Sequence, residues 1–145
     1  MIDEPTLCDE DASVAIKAVC SELARLGKKG AIAVVDSHGE TIAVLRQHGA
    51  ALSTTTIAIN KAFTAARLRR PSSETGRRSR DPEQGFDLAY FGDDRYVGFA
   101  GGMPVIKNGA VTGAIGVSGL TQPEDEELAA FGVAAILARN APSSQ

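Results

Sequence analysis

GFAGGMPVIKNGAVTGAIGVSGLTQPEDEELAAFGVAAILA, residues Gly98–Ala138, is the stretch whose reading decides the fold. Two apolar runs, Met103–Ile106 and Val111–Val117, flank Asn108-Gly109. Asn and Gly tolerate the positive φ values of a type I′ turn, so this pattern predicts a tight antiparallel hairpin. After Gly119 the period changes from two to helical. Thr121 and Glu124 have the spacing of a capping box, and Pro123 falls in the first turn, where its missing N–H costs little. The acids Glu124 to Glu127 lie at the positive end of the helix macrodipole. Leu128, Phe131, Ala135 and Ile136 then mark an expected apolar face.

Working outward, Cys8–Leu26 is predicted as a first helix entered at Thr6, with Ala12, Ile16, Val19, Leu23 and Leu26 along one stripe. Gly27 ends it. Cys8 and Cys20 would stand about 18 Å apart on that helix, too far for a disulfide. Ala31–Val35 and Thr41–Arg46 read as strands joined through Asp36-Ser37-His38-Gly39, a second hairpin. Ser53–Thr56 offers N-caps for a helix running to about Arg70, which Pro71 stops. Six arginines between Arg67 and Arg80 face the single acid Glu74, in a segment expected to be a loop or short irregular helix. An inter-subunit or solvated role is the plain reading there, and a grip on carboxylate or phosphate the sharper one. Phe86, Tyr90, Phe91, Tyr96 and Phe99 concentrate five aromatics in one stretch, a candidate lid or pocket wall.

The whole chain bounds these readings. Its 145 residues, 43% hydrophobic and 23% charged, fit one globular domain spanning 1–145. A net charge of −3 argues against a general nucleic-acid binder, and no aromatic interleaving accompanies the arginines. No apolar run approaches the ~18 residues of a membrane span. The acidic start MIDEPTLCDED carries no basic-then-apolar leader, so a cytoplasmic location is expected. Zinc-ligand spacing, a P-loop, a dinucleotide fingerprint and a nucleophile elbow are all missing from the sequence.

The run GGMPVIKNGAVTGAIGVSG followed by TQPEDEELAAFGVAAI resembles the GlcG/HbpS-like family, and the similarity extends over roughly Thr6 to Ala138. That family groups glycolate-utilisation accessory proteins, extracellular haem-binding proteins and the C-terminal domain of PduO-type adenosyltransferases. The resemblance implies an α+β, profilin-like sandwich, with a central antiparallel sheet of about five strands flanked by helices, and assembly into dimers or larger rings. Lys61 matches a lysine common in the family. Arg46-Gln47-His48-Gly49-Ala50 stands where Arg-Met-Asp-Gly-Ala is usual, so His48 replaces an acid.

The candidate site joins Arg46, His48, Lys61, the Gly101-Gly102 turn and Asp125. Arg46 and Lys61 would hold a carboxylate, with Asp125 or Glu126 the alternative partner of the lysine in an internal ion network. Gly101 and Gly102 would offer backbone N–H groups. His48 and Asp125 would move protons, without a cofactor or metal. The expected function is a small-molecule-binding protein for an anionic or aromatic ligand, an accessory enzyme of isomerase or hydratase type acting on an organic acid or aromatic metabolite. The alternatives are haem or tetrapyrrole binding, with His48 or His38 as axial ligand and arginines on the propionates, and a non-catalytic oligomeric scaffold.

Overall fold

A computed structural model describes residues 4–139. In chain order the elements are α1 (Asp9–Leu26), β1 (Ala31–Asp36), β2 (Thr41–Arg46), α2 (Thr54–Leu68), α3 (Ser72–Ser79), a 3-10 turn at Leu88–Tyr90, β3 (Gly102–Lys107), β4 (Ala110–Ser118) and α4 (Gln122–Arg139). The strands form one antiparallel sheet of four, in the order β2-β1-β4-β3. This is the expected α+β sandwich. Asn108 and Gly109 have φ of 50° and 78°, and Lys107 pairs with Ala110, so the β3–β4 turn is the two-residue type I′ form.

Each face of the sheet buries a different kind of residue. Ile32, Val34, Ile115 and Val117 point to the face covered by α1 and α4, where Val19, Leu23, Leu128 and Ile136 fill the layer. Ala31, Ala33, Val35 and Ala114 point the other way, onto Ala58, Ala62, Ala65 and Ala66 of α2. Alanine against alanine lets α2 lie almost on the backbone of β4. A Cβ on Gly116 would stand 2.0 Å from the Ala58 carbonyl oxygen. The alanines of α2 are therefore consumed inside the chain, against the sheet.

Four local expectations are corrected. The α1 N-cap is Cys8, not Thr6: its N–H and thiol both donate to Asp11 Oδ2, at 3.0 and 3.2 Å, while Thr6 Oγ1 accepts from Ser37 N–H. Leu26 lies off the buried stripe of α1 and is 41% exposed. On α4 the buried stripe is Asp125, Leu128, Ala129, Gly132 and Ile136, and Phe131 faces outward. Within the arginine-rich segment a regular helix, α3, buries Ser72, Thr75 and Gly76. Both cysteines are free. Among the described residues no helix is long and apolar enough to cross a membrane.

Candidate functional site

Lys61 lies on the sheet-facing side of α2, between Ala58 and Ala65, where a long cation would ordinarily snorkel to water. Here it turns along the end of β4 and is buried. Its Nζ donates to Val117 O at 2.9 Å and to Asp125 Oδ2 at 3.0 Å, and both side chains are 3% exposed. Asp125 is held by the first turn of α4, and its Oδ1 accepts from Leu120 N–H at 3.0 Å. Burial pushes the Asp125 carboxyl above its ordinary range, and Lys61 and the Leu120 N–H pull it partly back. One ion pair thus ties α2 to α4 from opposite faces of the sheet.

The Gly101-Gly102 turn closes this arrangement. Gly101 has φ of 127°, and a Cβ there would lie 2.8 Å from Lys61 Nζ and 2.5 Å from Val117 O. Gly102 passes as closely over Lys61 O, where a Cβ would be at 2.2 Å. Its N–H is already donated to Ser72 Oγ at 2.9 Å, and that hydroxyl donates to Phe99 O at 2.6 Å. Gly102 is therefore a packing position with its donor spoken for. Ser72, which the sequence reading passed over, is the residue that fixes the turn. A serine just after Pro71, at a helix start, was the available signal.

Above the ion pair opens a cleft of about 340 Å³, walled mainly by Ala51, Ile57, Phe99 and Leu120, with Lys61 and Asp125 at its base. Arg46 and His48 do not line it. Arg46 is exposed at the end of β2, with Nη1 donating to Ala50 O at 3.3 Å. It is paired through Ala31 to Ser118, two strands and about 10 Å away across the sheet. His48 is exposed on the turn closed by Ala50 N–H and Gln47 O. So the structure brings together Lys61, Asp125, Gly101 and Gly102, and leaves Arg46 at the end of β2 and His48 on the turn after it, outside the lining of the cleft.

His38 sits at the tip of the first hairpin, with Nε2 2.7 Å from Glu4 Oε2. That contact raises its pKa, favouring the protonated ring. Arg67 and Arg69 border the same shallow recess. Among the described residues no group of three His, Cys, Asp or Glu side chains is placed to hold a metal ion.

Comparison with known proteins follows the same outline. The family model described as "Haem degrading protein HbpS-like" matches residues 7–134. An uncharacterised 15.0 kDa protein from the dhaT-dhaS intergenic region of Citrobacter freundii is 40% identical over 96 residues, 66% of this chain and 68% of that protein. The crystal structure of Klebsiella pneumoniae protein ORFY is 30% identical, with a TM-score of 0.89 and 95% of each chain covered. A double mutant of Streptomyces reticuli HbpS is 32% identical, with a TM-score of 0.83, covering 92% of this chain and 89% of that one. With the family model matching residues 7–134, and solved relatives of 30% and 32% identity sharing the fold over more than nine-tenths of its length, the chain belongs to the HbpS-like family.

Proposed function

We propose that this chain binds haem or a related tetrapyrrole, at the cleft over Lys61 and the loop beside it. The observation that carries the reading is the apolar wall of that cleft, Ile57, Phe99 and Leu120, with the Arg46 guanidinium at the end of β2 and the His48 imidazole on the turn after it. A tetrapyrrole needs a flat apolar contact, a cation for its propionates and, for iron, an unprotonated nitrogen. Phe99, 51% exposed, supplies uncovered apolar surface there. Arg46 supplies the cation. His48 is the better axial ligand, because it makes no hydrogen bond among the described residues whereas Glu4 draws His38 toward its protonated form. The family description and the HbpS relative support the same reading. When bound, haem iron would supply redox chemistry; the chain's part is to seat the ring, exclude water from one face and present His48.

Haemin titration tests this. A saturable shift of the Soret band at one haem per chain is expected, with His48→Ala moving the band and weakening binding while His38→Ala does neither. An unshifted Soret band with the unmodified protein in excess would overturn the proposal. A homo-oligomer completes the reading, since a cleft this open covers only part of a macrocycle.

A second reading is favoured by one observation, the raised pKa of Asp125 at the base of the cleft. It makes the chain a cofactor-free accessory enzyme moving a proton on a small organic acid or aromatic metabolite. Both Asp125 oxygens are already engaged, by Lys61 and by Leu120 N–H, so the carboxyl would have to release one partner to act. Turnover of small acids that disappears in Asp125→Asn, without haem, would favour this reading over the first.

A further inference from the structure

A separate recess of about 160 Å³ lies under the arginine-rich segment, between Leu68 at the end of α2, α3 and the aromatic stretch. Leu68, Phe86 and Phe91 form its apolar side, and Arg70, Thr75 and Arg78 its polar side. The two phenylalanine rings stack with centroids 4.7 Å apart, and Phe91 is braced edge-on by Tyr96 at 5.4 Å. Arg70 spends its Nε–H on Leu68 O, and its two terminal nitrogens bond to nothing among the described residues. Arg78 shares one terminal nitrogen with Glu74 at 3.1 Å. Two guanidiniums against one carboxylate leave a positive excess at the recess.

Thr75 carries the argument further. It is 2% exposed, and its Oγ1 is the one buried side-chain polar atom among the described residues that has no hydrogen-bond partner. Such a group ordinarily costs stability, and a valine of the same shape would avoid that cost. Threonine within a helix populates two χ1 rotamers, so a rotamer change can offer the hydroxyl of this lining residue to a ligand in the recess. A cavity of ~150 Å³ with apolar walls holds one benzene ring. The volume therefore suits a single six-membered ring with a small substituent. A bare phosphate would leave the phenylalanines facing water.

We propose that this recess binds a small aromatic carboxylate. Its ring would lie against Leu68 and the Phe86–Phe91 pair, its carboxylate would take Arg70 and Arg78, and Thr75 would donate to a carboxylate oxygen. The site is distinct from the Lys61 cleft and from His48, and neither the haem reading nor the second reading requires it.

Titration calorimetry with benzoate, benzyl alcohol, acetate and inorganic phosphate on the full chain tests it. Benzoate is expected to bind saturably at one per chain, about tenfold or more tighter than each of the other three. Arg70→Met should weaken benzoate by roughly tenfold, as loss of a charge-assisted contact does. Thr75→Val should raise the melting temperature yet weaken benzoate several-fold, with Thr75→Ser restoring affinity. His48→Ala should leave benzoate binding unchanged, which separates this site from the haem proposal. Lack of saturation by benzoate at millimolar concentration would overturn the proposal. So would benzyl alcohol or phosphate binding as tightly as benzoate, or unaltered affinity in folded Arg70→Met, with Arg78→Met standing in should that variant not fold.

Discussion

At the scale of single residues, the buried Lys61–Asp125 pair is where removing one charge costs most of what the pair protects. Removing one member of a buried ion pair strands the other, at a cost of about 3–5 kcal/mol, whereas replacing both with apolar groups is often neutral. Lys61→Met is therefore expected to destabilise the chain by about that amount, and Lys61→Met with Asp125→Leu to recover most of it. Denaturant titration of the four-member cycle checks this. The sign of the pH dependence is fixed too. Without Lys61 the Asp125 carboxylate keeps its desolvation and loses its main attraction, so its folded pKa rises further above 3.8. The loss in Lys61→Met should be largest at neutral pH and shrink on acidification, as Asp125 takes up a proton. An equal loss at both pH values would mean that packing, not charge, is what Lys61 supplies. Lys61 and Asp125 were legible in the sequence as site candidates, one an isolated cation among alanines and the other an acid at a helix start. Arg46 and His48 were read into the same site because they end a strand, but chain order does not say which side of the sheet's end a loop will occupy.

Among the elements, the β3–β4 hairpin and the start of α4 were readable because local chemistry alone decides them. Nothing lies within 4 Å of where a Cβ on Gly109 would stand, so its requirement is purely for φ of 78°. Gly109→Val should thus cost roughly 1–2 kcal/mol through backbone strain with no clash, and thermal melting reads it directly. Thr121 and Glu124 form the expected capping box, with Glu124 N–H donating to Thr121 Oγ1 at 3.4 Å and Thr121 N–H donating to Glu124 Oε1 at 3.3 Å, and Lys28 pairs with the same carboxylate. Together they hold the Glu124 pKa down to about 2 from 4.5. A depressed carboxylate contributes stability that is present above 4.5 and lost as pH falls toward 2. Glu124→Gln should flatten the acid limb of the stability profile across that window, and added salt should shrink the difference because the carboxylate is exposed. The far half of α4 was misread by size. Phe131 looks like the core residue, but Gly132 is what touches the core: a Cβ on it would lie 2.9 Å from Ile115 Cδ1 and 3.0 Å from Val19 Cγ2. Where helices press this closely, the smallest side chain marks the contact, and a search for bulk selects the wrong face. α3 reads from sequence only as a loop or short irregular helix for a related reason, since its buried residues are Ser72, Thr75 and Gly76.

Across the whole molecule, the order of helices and hairpins was enough to give an antiparallel sheet between helical layers. The number of strands and the unequal character of the two faces emerge only from pairing. With the order β2-β1-β4-β3, strands β2 and β3 are both sheet edges, and β2 is the poorly covered one. Its Val44 and Leu45 are 38% and 41% exposed. Folded chains usually blunt such an edge with charge, proline or a covering segment. Here a short apolar edge is followed in the chain by Leu52, 84% exposed. Exposed apolar residues gathered at one edge mark a surface that meets another protein. Self-association is the expected outcome, with this edge as its surface. Light scattering at micromolar concentration should give a mass that is a multiple of 15.1 kDa. Leu45→Lys places a charge where natural edge strands carry one, and should shift the mass toward the single chain while leaving the melting profile of the fold largely intact. A mass of 15.1 kDa for the unmodified protein would count against assembly. An unchanged multiple in Leu45→Lys would move the interface away from β2, to the surface around Phe131 and Leu26, which are 46% and 41% exposed.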